Sequence, residues 1–267
     1  MIRPGLAFLI TLLLSAQPLQ AAGFDHENWD RLLKTCVHPL RSGKASQVDY
    51  AALQHDRGRL ISYLNTLSIV DRDTFDAWPR QEQLAFLINA YNAWTVKLII
   101  DNYPGLDSIR DLGSWFSTPW NRTFIPLLGE RRSLDDIEHK LIRGSGRYND
   151  PRIHFAVNCA SIGCPALRAG AYTGELLDEQ LETATQNFLA DSERNRLRGD
   201  TLEVSSIFKW YRGDFESGWR NSTSLRLFLA RYARALGLTP AQKHALIDGT
   251  IDIDFLAYDW RLNDFQR

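Results

Sequence analysis

The chain has few cysteines, no long apolar run and no excess of either charge, and each shortage excludes a class of protein. Its 267 residues include 31 Lys and Arg against 32 Asp and Glu, a formal net charge of −1. Such a balance provides no electrostatic footprint for nucleic acid or for an anionic membrane surface. We therefore expect no nucleic-acid partner, and the sequence identifies no other partner.

Common catalytic signatures are missing as well. The chain has no glycine-rich phosphate loop, no Gly-x-Ser-x-Gly nucleophile elbow, no internal repeat and no low-complexity tract. We predict no cofactor and no metal, and the candidate chemistry must be sought in scattered polar side chains.

The N-terminal apolar run is short. Leu6–Leu14 follow the positive Arg3 and precede small residues that end in two alanines. A membrane-spanning helix needs about 20 apolar residues, whereas this layout is typical of a cleavable secretory signal peptide. We predict a signal peptide at 1–22 and one globular domain at 23–267, periplasmic or secreted, without a stable membrane anchor after cleavage. An uncleaved anchor is the alternative.

What the chain does contain is apolar periodicity, with 44% hydrophobic residues, which favours a packed core. Three- and four-residue spacing predicts helices, and two-residue alternation predicts strands. Helices are predicted at 26–41, 57–68, 80–102, 133–143, 174–190 and 222–236, with strands at 152–158 and 251–255 and a hairpin at 195–205. Many helices with a few short strands and no regular βαβ alternation predict an α+β fold, mostly helical and single-domain.

The predicted helix 80–102 is apolar almost all round, so its few polar residues need partners. Asn89 and Asn92 are three residues apart and share one face. A buried amide without a partner costs about 1–3 kcal/mol. These amides therefore either hold neighbouring loops in a structural network or line a polar site.

Cys159 follows the predicted strand 152–158 and enters a loop of small residues. A thiol at such a position can act as a nucleophile if a base lowers its pKa. His154 is a poor candidate base, because five residues of straight strand span roughly 16 Å and place it on the opposite face from Cys159. The spacing to Cys164 also permits a disulfide in an exported protein, and three cysteines leave at least one unpaired.

His139 is the other candidate base. On the predicted helix 133–143 it points away from the apolar stripe, with Glu138 on the flank of that stripe. Read alone, His139 is an exposed helical histidine that matters only if a second layer of structure covers its face.

Five motifs in this order resemble the uncharacterised-domain family numbered 547, from about 48 to 263. They are LINAYNAWTVKLI (87–99), SLDDIEHKLIR (133–143), IHFAVNCASIGCPALR (153–168), SSIFKWYRGDF (205–215) and YDWRLN (258–263). The family brings no established activity. The resemblance implies a shared site containing Asn89, Tyr91 and Asn92, Glu138 and His139, Cys159 and Pro165. Plant relatives have Ser at the position of Cys164, which implies that a disulfide is not essential to the family.

Three functional hypotheses follow. The first is a thiol hydrolase or acyltransferase acting on an amide or ester, with Cys159 as nucleophile, His139 as base and Glu138 or an asparagine as orienting group. The second is a non-catalytic binding or scaffold module with a structural polar network. The third is a metal site using His139, His154, Cys159 and Cys164, whose spacing is not a well-attested zinc pattern.

Further residues are expected to line the site or to support it. Asn158 and His154 share one face of the predicted strand 152–158, and Asp259 could orient His139 if the C-terminus folds back over the site. The aromatic segments around 210 and 258 are rich enough to line a pocket, but we interpret them as a core cluster with ion-paired rims.

Overall fold

The structure, a computed structural model, describes residues 23–114 and 117–265, so the predicted signal peptide lies outside the described residues. The α-helices in these ranges are α1 (Glu27–Cys36), α2 (Tyr50–His55), α3 (Arg57–Ser68), α4 (Arg72–Ala77), α5 (Arg80–Ile100), α6 (Leu177–Leu189), α7 (Ile207–Trp210), α8 (Arg212–Phe215), α9 (Leu225–Arg231) and α10 (Pro240–Asp248). The strands are β1 (Val37–Leu40), β2 (Ala45–Val48), β3 (Ile125–Leu127), β4 (Glu130–Arg132), β5 (Arg196–Arg198), β6 (Thr201–Ser205) and β7 (Asp252–Leu256). This mostly helical α+β fold confirms the predicted class.

Helix α5 is the centre of the larger hydrophobic core. Its side chains are buried nearly all round, and α2, α3 and α6 pack against it. Gln83 enters this core because its amide donates to the backbone carbonyls of Phe75 and Trp78. None of the helices in the described ranges is both long enough and apolar enough to cross a membrane.

A second core cluster surrounds a three-stranded sheet of order β5-β6-β7. β5 and β6 form the predicted hairpin, in which Arg196 pairs with Glu203, and Gly199 takes the positive φ of 58° that its tight turn requires. β7 pairs with β6 in parallel, and the intervening chain forms α7 to α10.

The predicted strand 152–158 is wrong. Pro151–Phe155 instead forms a 3₁₀-helix, which Asp150 caps by accepting a hydrogen bond from the backbone N–H of Arg152. Arg152 is buried, with its guanidinium bound to the Asp150, Asp178 and Glu182 carboxylates. All the residues of this helix are buried, so the alternation of polar and apolar residues that predicted a strand does not correspond to one exposed and one buried face.

Other element types were predicted correctly, with some shifts in boundary. The helix at 57–68 is α3, and the helix predicted to start at 26 ends at Cys36, where the chain becomes β1. Within 222–236 only Leu225–Arg231 is regular α-helix. The helix predicted at 133–143 is a π-helix over Asp136–Arg143.

The C-terminal segment after β7 crosses back over the loop at 159–164. The backbone N–H groups of Ile162 and Gly163 donate to the carbonyls of Arg261 and Asp259, each at 2.8 Å. Asn263 in turn donates to the Ala160 carbonyl at 3.1 Å. These hydrogen bonds bring the end of the chain to the loop that carries the cysteines.

Candidate functional site

A cavity of about 310 Å³ lies where residues of the two core clusters meet. Its walls come from α5, the π-helix, the loop at 157–165, α7 and the C-terminal segment. The described lining residues are Tyr91, Thr118, Trp120, Asp135, Glu138, His139, His154, Val157, Cys159, Cys164, Pro165, Ile207, Trp210, Tyr211, Tyr258 and Trp260. The volume is at the lower end of the range for small-molecule sites.

Buried amides hold the loop that carries Cys159. Asn92 donates to the Ala156 carbonyl at 2.9 Å and accepts from the Asn158 backbone N–H at 2.8 Å. Asn158 in turn donates to the Pro165 carbonyl at 2.7 Å and accepts from the Ala160 N–H at 2.9 Å. The amides of Asn92 and Asn158 therefore set the path of the backbone around the sulfur atoms.

Asn89 makes an equivalent pair of hydrogen bonds elsewhere. Its side chain donates to the Tyr172 carbonyl at 2.7 Å and accepts from the Tyr172 N–H at 3.0 Å. Neither Asn89, Asn92 nor Asn158 lines the cavity, so the expectation that they line the site must be corrected. Of the two interpretations of the α5 amides, the structure favours the network that holds neighbouring loops.

Cys159 and Cys164 are joined by a disulfide, which the family resemblance had made less expected. Three donors surround the pair: the Cys159 N–H at 2.9 Å from Cys164 Sγ, and the hydroxyls of Ser161 and Tyr258. Burial raises the pKa of Tyr258, so its phenol keeps the proton that it donates. In the disulfide form Cys159 has no thiol to act as a nucleophile.

Glu138 is a buried carboxylate on the cavity wall, 5% exposed. The hydroxyls of Tyr91 and Tyr211 both hydrogen-bond to it. Burial and the neighbouring Glu138 charge raise the pKa of both phenols, which therefore remain donors. The carboxylate is held in position by groups that themselves line the cavity.

His139 also lines the cavity, with 40% of its side chain exposed. The Arg143 guanidinium lies 2.8 Å from His139 Nδ1. A guanidinium has only donors, so Nδ1 must accept, and a neutral His139 carries its proton on Nε2. Nε2 is 3.6 Å from Asp135 Oδ1. This tautomer makes His139 a donor at Nε2 rather than a free base.

His154 belongs to the cavity too, although straight-strand geometry had placed it far from Cys159. Its Nε2 lies 2.7 Å from Asp214 Oδ2, and Arg143 binds the same carboxylate through two nitrogens at 2.6 and 3.1 Å. Burial alone would raise the pKa of Asp214, but these hydrogen bonds hold it well below its usual range. Burial lowers the pKa of His154, so the ring is neutral at physiological pH.

The ring of Tyr211 lies between these groups. It stacks on His154 with centroids 4.0 Å apart, and the Arg143 guanidinium lies 4.8 Å from its centroid. Because the partners of Tyr211 come from two separate segments, the 3₁₀-helix with His154 and the π-helix with Arg143 and Glu138, its position is strongly constrained.

The aromatic segments predicted as core cluster are instead walls of the cavity. Trp210 and Trp260 stack at 5.8 Å, Tyr258 contacts both rings, and Trp120 meets Trp260 edge-on. Trp210 is 48% exposed, which a core residue would not be. Sequence reasoning thus missed Trp210, Tyr211 and Tyr258 as site residues, although the family motifs already contained them.

Asp259 does not orient His139. The C-terminal segment does fold back over the site, but the Asp259 carboxylate is bound by Arg261 and lines a separate, smaller depression. Of the residues in the metal hypothesis, all four line the cavity. Within 23–114 and 117–265, however, no group of three or more His, Cys, Asp or Glu side chains is arranged to hold a metal ion.

Fold and site together define an α+β protein with a cavity whose walls combine aromatic rings with acidic and histidine side chains. Residues 75–189 match the model of the family described as "Protein of unknown function, DUF547", which supports the resemblance to that family. The match covers α5, the π-helix and the cysteine loop, whereas Trp210, Tyr211, Tyr258 and Trp260 lie beyond it. No match was found among curated proteins or solved structures.

Proposed function

We propose that this protein binds a small organic ligand in the aromatic cavity. The observation that carries the proposal is the convergence of aromatic rings on a buried carboxylate, Glu138, that two tyrosine hydroxyls hold in place. A concave, mostly apolar site with a few fixed polar groups is the usual form of a small-molecule site.

The rigidity of the polar groups supports this proposal. Tyr211 is held by His154 and Arg143, and Arg143 is in turn held by Asp214. Side chains whose positions are set before binding lose little conformational entropy when a ligand arrives. Such preorganisation favours binding at this cavity over a purely architectural role for the same network.

The second candidate is acyl or amide chemistry by Cys159 in the reduced protein. It is favoured by the position of Cys159, Glu138 and His139 on one cavity. Two observations argue against it. Cys159 is part of a disulfide, and the Nδ1 lone pair of a neutral His139 is already used to accept a hydrogen bond from Arg143, so no lone pair remains to act as a base. We therefore rank binding first.

Ligand binding is tested with a library of small fragments, divided among cations, neutral compounds and anions, and screened by ligand-observed NMR. We expect hits on the native protein that are lost in Trp210→Ala, which opens the cavity wall. Trp219→Ala is the matched control, because Trp219 is a partly buried tryptophan that does not line the cavity. A screen without hits, or hits equally retained in Trp210→Ala, would contradict the proposal.

The thiol candidate is tested on the reduced protein with activated aryl esters and anilides. Turnover that disappears in Cys159→Ser but persists in Cys36→Ser would favour it over binding alone. Cys36 is the suitable control, because it is buried and outside the disulfide.

We also propose that residues 1–22 are removed during export, on the strength of their signal-peptide layout. The measurement is the intact mass of protein recovered from the periplasm of a bacterial expression host. A mature chain beginning near residue 23 is expected, and a full-length cytoplasmic product would contradict the proposal.

A further inference from the structure

Two acidic side chains lie on the walls of the cavity, and His139 lies 3.6 Å from Asp135 Oδ1 and 3.9 Å from Glu138 Oε1. Asp135 and Glu138 line it, and no Lys or Arg is among its described lining residues. The nearest guanidinium on the same helix, Arg143, is engaged by both oxygens of Asp214. A ligand carboxylate or phosphate at this site would lie beside Glu138 without a lysine or arginine on the described cavity wall to balance it, which is costly in a partly buried site.

The aromatic walls suit a positive charge. A cation near a tryptophan or tyrosine ring is attracted by the ring quadrupole, and the attraction is stronger where water is excluded. Trp260, one of the lining residues, already contacts a cation within the protein, because the Arg110 guanidinium lies 5.3 Å from its ring centroid. Trp210, by contrast, is 48% exposed, so part of its surface remains accessible to a ligand.

The hydrogen-bonding groups point to an N–H donor rather than to a methylated cation. His154 is 2% exposed, and its Nδ1 has no hydrogen-bond partner in the described part of the chain. Since Nε2 donates to the Asp214 carboxylate, Nδ1 carries a lone pair and can only accept. Glu138 also accepts. Glu138 and His154 are thus acceptors among the residues that line the cavity, and they favour a ligand that brings protons.

We propose that the ligand of this cavity is a primary amine in its protonated form, whose ammonium group is held by Glu138 and by the surrounding aromatic rings. This inference rests on the proposed function, since it names the class of ligand for the same cavity.

The test uses three compounds of nearly equal shape: benzylammonium, benzyl alcohol and benzoate. Their affinities for the native disulfide-bonded protein are measured by isothermal titration calorimetry. We expect benzylammonium to bind at least about ten times more tightly than benzyl alcohol, as one strong cation–π contact or one desolvated ion pair would give. Benzoate should bind more weakly than the alcohol.

Two variants assign the preference to the carboxylates. Glu138→Gln removes the charge and keeps an acceptor for the tyrosine hydroxyls, and we expect it to reduce the amine-over-alcohol ratio to near one. Asp135→Asn, at a half-exposed position that tolerates substitution more easily, should lower the ratio several-fold and provides the test if Glu138→Gln does not fold.

The outcomes separate the two proposals. Equal affinities for amine and alcohol, both lost in Trp210→Ala, would overturn the amine inference and leave the binding function standing. A preference that survives in both carboxylate variants would also overturn the inference. If none of the three compounds binds at millimolar concentration, the amine inference fails. If they bind but Trp210→Ala leaves binding unaffected, both proposals fail.

Discussion

The ring of Tyr258 packs directly against the backbone of Gly163. A Cβ built on Gly163 would lie 2.9 Å from Tyr258 Cε1 and 3.0 Å from the Asp259 carbonyl oxygen. The glycine is thus required for close approach rather than for an unusual φ. Because Gly163 also donates to that carbonyl, one residue fixes both the C-terminal segment and the aromatic wall beside the disulfide.

Gly163→Ala should therefore displace Tyr258 and lower the free energy of unfolding by about 1–3 kcal/mol, a typical cost of overpacking. Urea unfolding measures this change. Gly58→Ala is the matched control: Gly58 lies in α3, its added Cβ meets nothing within 4 Å, and we expect stabilisation of up to about 1 kcal/mol. Equal effects of the two substitutions would show that the Tyr258 contact is not limiting.

Asn92→Ala should destabilise the protein by about 2–4 kcal/mol, because it leaves the Ala156 carbonyl and the Asn158 N–H buried without their partner. Chemical denaturation measures the loss, and hydrogen exchange should show faster exchange in the loop at 157–165. Asn65→Ala is the control, since Asn65 is exposed on α3 and its loss should change stability by less than about 0.5 kcal/mol. A loss of similar size in both variants would contradict the network.

Acid should destabilise the protein through buried histidines. Burial lowers the pKa of His26 to about 4, and burial also lowers that of His154. Each ring is neutral when folded but takes up a proton more readily when unfolded, so its stabilising contribution is complete above pH 6.5 and is lost as the pH falls towards the folded pKa. For His26 the loss by pH 4 is roughly 3 kcal/mol.

The measurement is the free energy of unfolding of wild type and His26→Gln between pH 7 and pH 4. We expect the variant to lose less stability over this interval, whatever its stability at pH 7. Parallel curves for the two proteins would exclude His26 as a source of the acid sensitivity.

Reduction of the disulfide should have a modest effect on stability and a large one on labelling. Its cysteines are only five residues apart, so loop-closure entropy accounts for about 2 kcal/mol. We expect the hydrogen bonds of Asn158 to Pro165 and Ala160 to persist after reduction, because neither involves a sulfur atom. After reduction, iodoacetamide should label Cys159, which is partly exposed, well before Cys36. Burial raises the pKa of the Cys36 thiol to about 11. Mass spectrometry of the labelled peptides decides, and faster labelling of Cys36 would refute the expectation.

The elements that sequence periodicity predicted well are those whose burial is one-sided or uniform along a helix. α3 repeats leucines at helical spacing, and α5 is apolar over a length that a strand does not reach. The prediction for Pro151–Phe155 was wrong because polar Arg152 and His154 alternate with apolar residues as they would in a strand, although all five residues are buried. The buried Arg152, whose partners Asp178 and Glu182 lie on α6, was invisible to a local pattern.

For the candidate site, too, the sequence predicted some residues correctly and others wrongly. Cys159, His139 and Glu138 were named from local composition and from the family motifs, and they share one cavity in the structure. The network role of the amides was one of two alternatives, but their expected position on the cavity wall and the expected role of Asp259 were wrong, because a side chain's partner depends on atoms far along the chain. Asn92, for example, is bound 64 and 66 residues away.

The sequence by itself determined the helical elements, the need for partners around the α5 amides and the small set of polar residues from which a site can be built. Tertiary structure alone decided which of them meet. The return of the C-terminal segment across the loop at 159–164 places Tyr258 beside the sulfur atoms and Trp260 on the cavity wall. This return depends on backbone hydrogen bonds that carry no sequence signature. The cavity therefore depends on tertiary contacts between distant parts of the chain, and the local secondary-structure preferences of the sequence do not predict them.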